Sequence, residues 1–108
     1  MNARLASGIW VSAYLRRLQA LGIPAYVMTR GDDTAGAVLV KLALLDGTAR
    51  AYTRSFDLES NTRVWQVLVE GGEHAVDAAI MRQRSFDPDL WVIEVEDARG
   101  RDFLDEMG

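Results

Sequence analysis

The chain contains no cysteine, one histidine, one lysine and two prolines among 108 residues. Without thiols it forms neither disulfides nor thiolate metal sites. With His74 as the sole imidazole, a zinc ion would need carboxylates for nearly all its ligands, which is unusual for that metal. No nucleophile elbow, phosphate-binding P-loop or dinucleotide fingerprint is present. A Ser-His-Asp triad would have to use His74, which follows a double glycine and reads instead as a solvated residue at a helix start. Long apolar runs are missing as well. The longest, Ala35 to Leu45, is interrupted by Lys41 and is roughly half the length a helix needs to cross a bilayer. The amino terminus lacks a basic region followed by an apolar stretch, so a cytoplasmic location is expected. Neither a metal nor a cofactor is expected.

What is present points to one soluble domain over residues 1–108, with 49% hydrophobic and 26% charged residues. The net charge of −4 argues against a protein whose main partner is a nucleic-acid backbone. That average hides an asymmetry. Residues 1–56 hold seven basic and three acidic side chains, and residues 85–108 hold two basic and eight acidic ones. The two regions are expected to neutralise each other across neighbouring strands, with Arg50 and Arg54 as candidate partners of Glu94 and Glu96.

Hydrophobic periodicity predicts the order α-β-β-β-β-α-β. Ser7 is a candidate N-cap for a helix from Gly8 to Leu21, where Val11, Tyr14, Leu15, Leu18 and Leu21 recur at helical spacing and Trp10 sits on the flank. Ile23 to Arg30 reads as a strand. The polar loop 31–36 then suggests a hairpin into Ala37 to Leu45, a central strand apolar on both faces. Asp46-Gly47 predicts a two-residue turn into Thr48 to Phe56, whose Ala49 and Ala51 make a small face suited to packing under a helix. Arg63 to Glu70 follows, with Trp65, Val67 and Val69 on one face. A second helix spans Glu73 to Arg84, with Val76, Ala79, Ile80 and Gln83 as its stripe. The turn Asp87-Pro88-Asp89 leads into the strand Leu90 to Glu96, which puts Trp91, Ile93 and Val95 on one face and Leu90, Val92, Glu94 and Glu96 on the other. Phe103-Leu104 is expected to dock as a terminal turn. The sum is an α+β fold: a mostly antiparallel five-stranded sheet with two helices covering one face.

Two residue groups could carry chemistry. Arg16, Arg17, Arg30 and Lys41 are candidates for binding an anion or a partner. Asp87, Asp89, Glu94 and Glu96 form a candidate acidic cluster. It resembles the carboxylates of restriction-type nucleases but lacks the lysine those enzymes carry after the last acid, since Asp97 follows Glu96. No catalytic residue is assigned. The sequence fits best a small non-catalytic module that binds a protein partner or itself, with three tryptophans and an arginine-rich strand suited to an interface. The alternatives are a small-anion binder or carboxylate-based enzyme and, next, a nucleic-acid-binding accessory protein.

Four blocks carry a resemblance: Ser7-Gly8-Ile9-Trp10-Val11 with Ala13-Tyr14-Leu15-Arg16-Arg17; Arg30-Gly31-Asp32 with Ala35-Gly36-Ala37-Val38; Asp46-Gly47; and Phe86-Asp87-Pro88-Asp89-Leu90-Trp91. On these the chain resembles a family of short bacterial proteins catalogued as a domain of unknown function (DUF1491). The resemblance implies a bacterial, single-domain protein. It implies no activity, cofactor or catalytic residue.

Overall fold

The computed structural model describes residues 5–107, with Phe56 by its backbone alone. Helix α1 (Ser7–Ala20) leads into β1 (Ala25–Thr29), β2 (Val38–Ala43), β3 (Thr48–Asp57) and β4 (Thr62–Gly72). Helix α2 (Glu73–Phe86), β5 (Trp91–Glu96) and a 3-10 turn (Leu104–Met107) complete the chain. The predicted α+β order holds. The strands lie β1-β5-β2-β3-β4, all neighbours antiparallel except the parallel pair β2 and β5.

The expected hairpin between β1 and β2 does not form, because β5 lies between them. All six residues of β2 are buried, and in β5 only Glu94 and Glu96 are not. Strands this apolar on both faces gain most at the centre of a sheet. The loop 31–36 makes room by folding onto the turn before β5: Asp32 N–H donates to Asp89 O at 3.1 Å, and the Trp91 indole N–H donates to Asp32 O at 2.7 Å. Neither Gly31 nor Gly36 has space for a side chain, since an added methyl would lie 2.2 and 2.5 Å from the Asp89 carbonyl oxygen.

The helices cover opposite faces of the sheet, not one face as the sequence suggested. Val38, Val40 and Leu42 lie side by side with Trp91, Ile93 and Val95 beneath Val11, Tyr14 and Leu18 of α1. On the other side Leu39, Ala49, Ala51 and Val92 meet Val76 and Ile80 of α2. A strand buried on both sides needs cover on both, and each large aliphatic removed from water contributes roughly 1.5–3 kcal/mol. Trp10, expected on the flank, is fully in the core, whereas Leu21, counted in the stripe, is exposed. The face expected to join Trp65, Val67 and Val69 is split. In β4 the register slips between Val67 and Val69, and one extra residue inverts the alternation, so Trp65 packs on the α1 side and Val69 on the α2 side.

Ser7 is not the N-cap. It is the first residue of α1, and its hydroxyl donates to Gly36 O, while Ser7 and Gly8 N–H reach Thr34 and Asp33 carbonyls. Loop 31–36 thus caps the helix with backbone. The turn after β2 is one residue longer than predicted, closed by Leu44 N–H to Thr48 O, with Leu45 and Gly47 at positive φ.

After β5 the chain returns across α1. Tyr14 Oη donates to Asp102 O at 2.7 Å, Leu104 is buried as expected, and Arg17 pairs with Glu106 at 2.7 Å. Burial, and then the charge of Asp102, pushes the Tyr14 phenol up. Asp97 fixes this return by accepting from Arg101 N–H, Nε and Nη2 at 2.7, 3.0 and 2.9 Å. Those bonds hold its carboxyl at about 2 against the partial burial that opposes them. A lowered folded-state value stabilises above the ordinary carboxylate range and ceases to do so as pH falls through it. Asp97→Asn should therefore unfold at lower urea than the parent at neutral pH, and the gap should close as pH falls from about 4 to about 2. Urea midpoints across that range check it, and a constant gap would contradict it.

Candidate functional site

The sequence-predicted residues do not converge. Lys41 lies in the middle of β2 on the α2 face, only 5% exposed. A buried ammonium demands counter-charge, and it meets Glu73 and Asp77 at 2.8 Å each and Glu94 at 3.3 Å. Burial alone would lower its pKa. Hydrogen bonds to Asp77 and Glu73 and the charge of Glu94 outweigh that and hold it raised. Lys41 is thus a permanently charged post bracing α2 against β5, on the side of the sheet opposite Arg16 and Arg30. The sequence pointed to Lys41 but not to its partners. Glu73 and Asp77 are one helical turn apart at the start of α2, and an isolated lysine in an apolar run is the signal that acids must face it.

The acidic group is likewise dispersed. Glu94 belongs to Lys41, and Glu96 accepts from Tyr26 Oη at 3.3 Å. The Asp87 carboxylate accepts from Asp89 N–H at 3.1 Å, closing the turn before β5. Arg50 and Arg54 lie on the α1 face, so they cannot meet Glu94 and Glu96; Arg50 pairs with Glu70 at 3.3 Å instead. Among the described residues no group of three or more acidic or imidazole side chains could hold a metal ion. Arg17 is engaged by Glu106.

Arg16 and Arg30 do come together, in a groove of ≈ 620 Å³ between α1 and β1. It exists because α1 turns small residues, Gly8, Ser12 and Ala13, toward β1, leaving Leu15, Val27 and Trp91 to line an apolar floor. Arg30 stands at one end, its guanidinium 5.2 Å over the Trp91 ring and 3.0 Å from Asp33. Arg16 is exposed and has no ion pair among the described residues.

Beside this groove runs the free edge of β1. Its central residues Tyr26, Val27 and Met28 are 48, 41 and 58% exposed, and the whole strand is uncharged. Val27 points into the groove, whereas Tyr26, beside Glu94, stands on the other face, and it is exposed there because α2 packs over β3 and β4 and leaves the β1 end uncovered. The sequence suggested a hairpin from β1 into β2 and did not identify which strand is the edge. Ile9, on the rim of the groove, is 59% exposed. Among the described residues no helix is long and apolar enough to cross a membrane.

A family model described as "Protein of unknown function (DUF1491)" matches residues 5–105. The crystal structure of a DUF1491 family protein from Caulobacter crescentus CB15 is 42% identical with a TM-score of 0.82, over 93% of this chain and 92% of that one. An NMR structure of a DUF1491 family protein from the same organism is 40% identical, also at a TM-score of 0.82, over 95% and 94%. The solution structure of protein Atu0922 from A. tumefaciens is 34% identical with a TM-score of 0.73, over 87% and 86%. No curated protein matches the chain.

Proposed function

Since the chain belongs to the DUF1491 family, whose description assigns no activity, we propose from its surface chemistry that it is a non-catalytic protein-interaction module. Its β1 edge and adjoining groove receive an extended acidic segment of a partner protein. The observation that carries this reading is the run of three exposed apolar residues on an uncharged edge strand, continuous through Val27 with a groove bearing Arg16 and Arg30. An unpaired edge supplies backbone donors and acceptors for an added strand, and alternate side chains of that strand would fall into the groove and over Tyr26. The two arginines favour carboxylates at the rim. A second copy of the chain is the competing occupant, favoured by the absence of any charge on β1 that would oppose pairing with itself.

A fluorescently labelled peptide alternating glutamate with valine and leucine tests this by anisotropy. Saturable binding is expected, weakened about tenfold by the Arg16→Glu/Arg30→Glu double substitution and by Val27→Asp. No saturable binding, or binding that both variants leave unchanged, would overturn the reading. Light scattering across a concentration series on the same samples identifies the competing occupant, since a dimer abolished by Val27→Asp would assign the edge to a second copy.

A further inference from the structure

The backbone along the free edge of β1 faces in a direction fixed by its neighbour. Glu96 N–H donates to Pro24 O at 3.0 Å, and on the other side of β5 Trp91 and Asp97 N–H donate to Ala37 O at 2.8 Å and Ala43 O at 3.0 Å. Bonded and non-bonded rungs alternate in an antiparallel pair. With Ala25 opposite Val95, Tyr26 opposite Glu94 and Val27 opposite Ile93, Tyr26 therefore turns its N–H and C=O toward β5, while Ala25 and Val27 turn theirs outward. The open stretch is short. Ile23, the next outward residue, already gives its N–H to Leu18 O, and Met28 is the extra residue where the register shifts between Val27 and Thr29. A strand added here is held by Ala25 and Val27. Its residue opposite Val27 faces the groove, and the residues on either side of that one face the Tyr26 side.

The two faces that such a strand meets carry opposite charge. On the groove side stand Arg16 and Arg30. Gly8 N–H bonds Asp33 O at 2.8 Å, which places the start of α1 at the Arg30 end, and Arg16 lies two helical turns further along, roughly 12 Å away. Strand positions i and i+4 are about 13 Å apart, so both arginines can be met from one face of one strand. The Arg30 pair with Asp33 is open to water, its side chains 71 and 64% exposed, and holds the guanidinium only weakly. On the Tyr26 side the charge is negative. Glu96 accepts from the Tyr26 hydroxyl, and Glu73, Asp77 and Glu94 together outnumber Lys41. The charge of Glu96 is the main cause that raises the Tyr26 phenol above its ordinary value.

We propose that the segment received by β1 alternates in charge, in the order acid, base, aliphatic, base, acid. The aliphatic residue sits opposite Val27 in the groove, the acids two positions to either side reach Arg16 and Arg30, and the bases between them face Glu94 and Glu96. This inference rests on the reading of β1 and its groove as a docking edge and adds what the side chains between the acids must be. A slip of one residue would carry every base toward the arginines and every acid toward the glutamates. Charge thus sets a register that so short an edge does not set by backbone bonds alone.

Two labelled peptides of one composition test this by anisotropy, Glu-Lys-Val-Lys-Glu and Glu-Glu-Val-Lys-Lys, each between the same Gly-Ser flanks. Their side chains sum to no net charge, and no register of the second separates its acids from its bases. The first should bind about tenfold more tightly. Glu96→Lys should remove most of that preference from one face and Arg16→Glu from the other, which keeps the test decisive if one variant folds poorly. Equal binding of the two isomers, binding of neither, or a preference that both variants leave intact overturns the inference. The glutamate-valine-leucine peptide reports on the edge alone: where it binds saturably and the isomers are not distinguished, the docking edge stands without the charge alternation.

Discussion

Gly31→Ala should cost about 3 kcal/mol or more, a large fraction of the 5–15 kcal/mol by which a domain is ordinarily stable. The added methyl would lie 2.2 Å from Asp89 O and 2.7 Å from Trp91 N, both backbone atoms that no rotamer change can move. Relief requires withdrawing loop 31–36 from the turn before β5. That breaks the Asp32 to Asp89 bond, the Trp91 indole bond to Asp32 O and the carbonyls that cap α1. Gly36→Ala should behave alike, with its methyl 2.5 Å from the same oxygen and 2.8 Å from Asp32 O. Gly72→Ala is the comparison, because nothing lies within 4 Å of its methyl, and it should lose at most about 1 kcal/mol of N-cap preference. Urea unfolding followed by circular dichroism ranks the three, and equal midpoints would refute the steric argument.

Lys41→Met is the second large effect, expected to destabilise by about 3 kcal/mol at neutral pH. Methionine fills much of the same space, so the loss is chiefly that Glu73, Asp77 and Glu94 then face one another without a cation. The folded-state pKa of Lys41 is raised above its ordinary 10.5. Its contribution is therefore fully present below that ordinary value and is lost only as pH rises through the higher one. Adding Glu94→Gln should restore part of the stability at pH 7, because Glu94 is the least exposed of the three, 17% at its side chain. A deficit that Glu94→Gln leaves unchanged would mean that packing, not charge, is at stake.

Local signals carried most of the elements. The spacing of Val11, Tyr14 and Leu18, the alternation in β5, and Gly22 and Gly71-Gly72 at element ends each depend on a few neighbouring residues. What they did not carry was which strand lies beside which. The loop after β1 has the composition of a hairpin turn, and only the requirement that β5 be buried on both faces places β5 inside it. The error propagated to the site. With β1 expected to pair with β2 and no strand marked as the edge, Tyr26, Val27 and Met28 had no reason to draw notice, and Lys41, on the opposite face, was grouped with Arg16 and Arg30. The bulge in β4 had no local sign either, since Leu68 fits an alternating strand as well as its neighbours do. Three of the four blocks of resemblance, around residues 7–17, 30–38 and 86–91, meet in space where loop 31–36 touches α1 and the start of β5. Their residues are first of all those that build this junction.

The insertion of β5 between β1 and β2 also sets an order of events during synthesis. β2, β3 and β4 are joined by short turns and can pair as soon as they emerge. β1 pairs only with β5, matching Ala25 with Val95, about seventy residues later in the chain. Until then the apolar face of α1 has Val38, Val40 and Leu42 beneath it but not Trp91, Ile93 and Val95. Such high contact order slows folding and prolongs the exposure of unpaired edges. The first quarter of the chain must therefore wait for the last, and a ribosome stalled before Trp91 would release a three-stranded fragment with a sticky edge at β2.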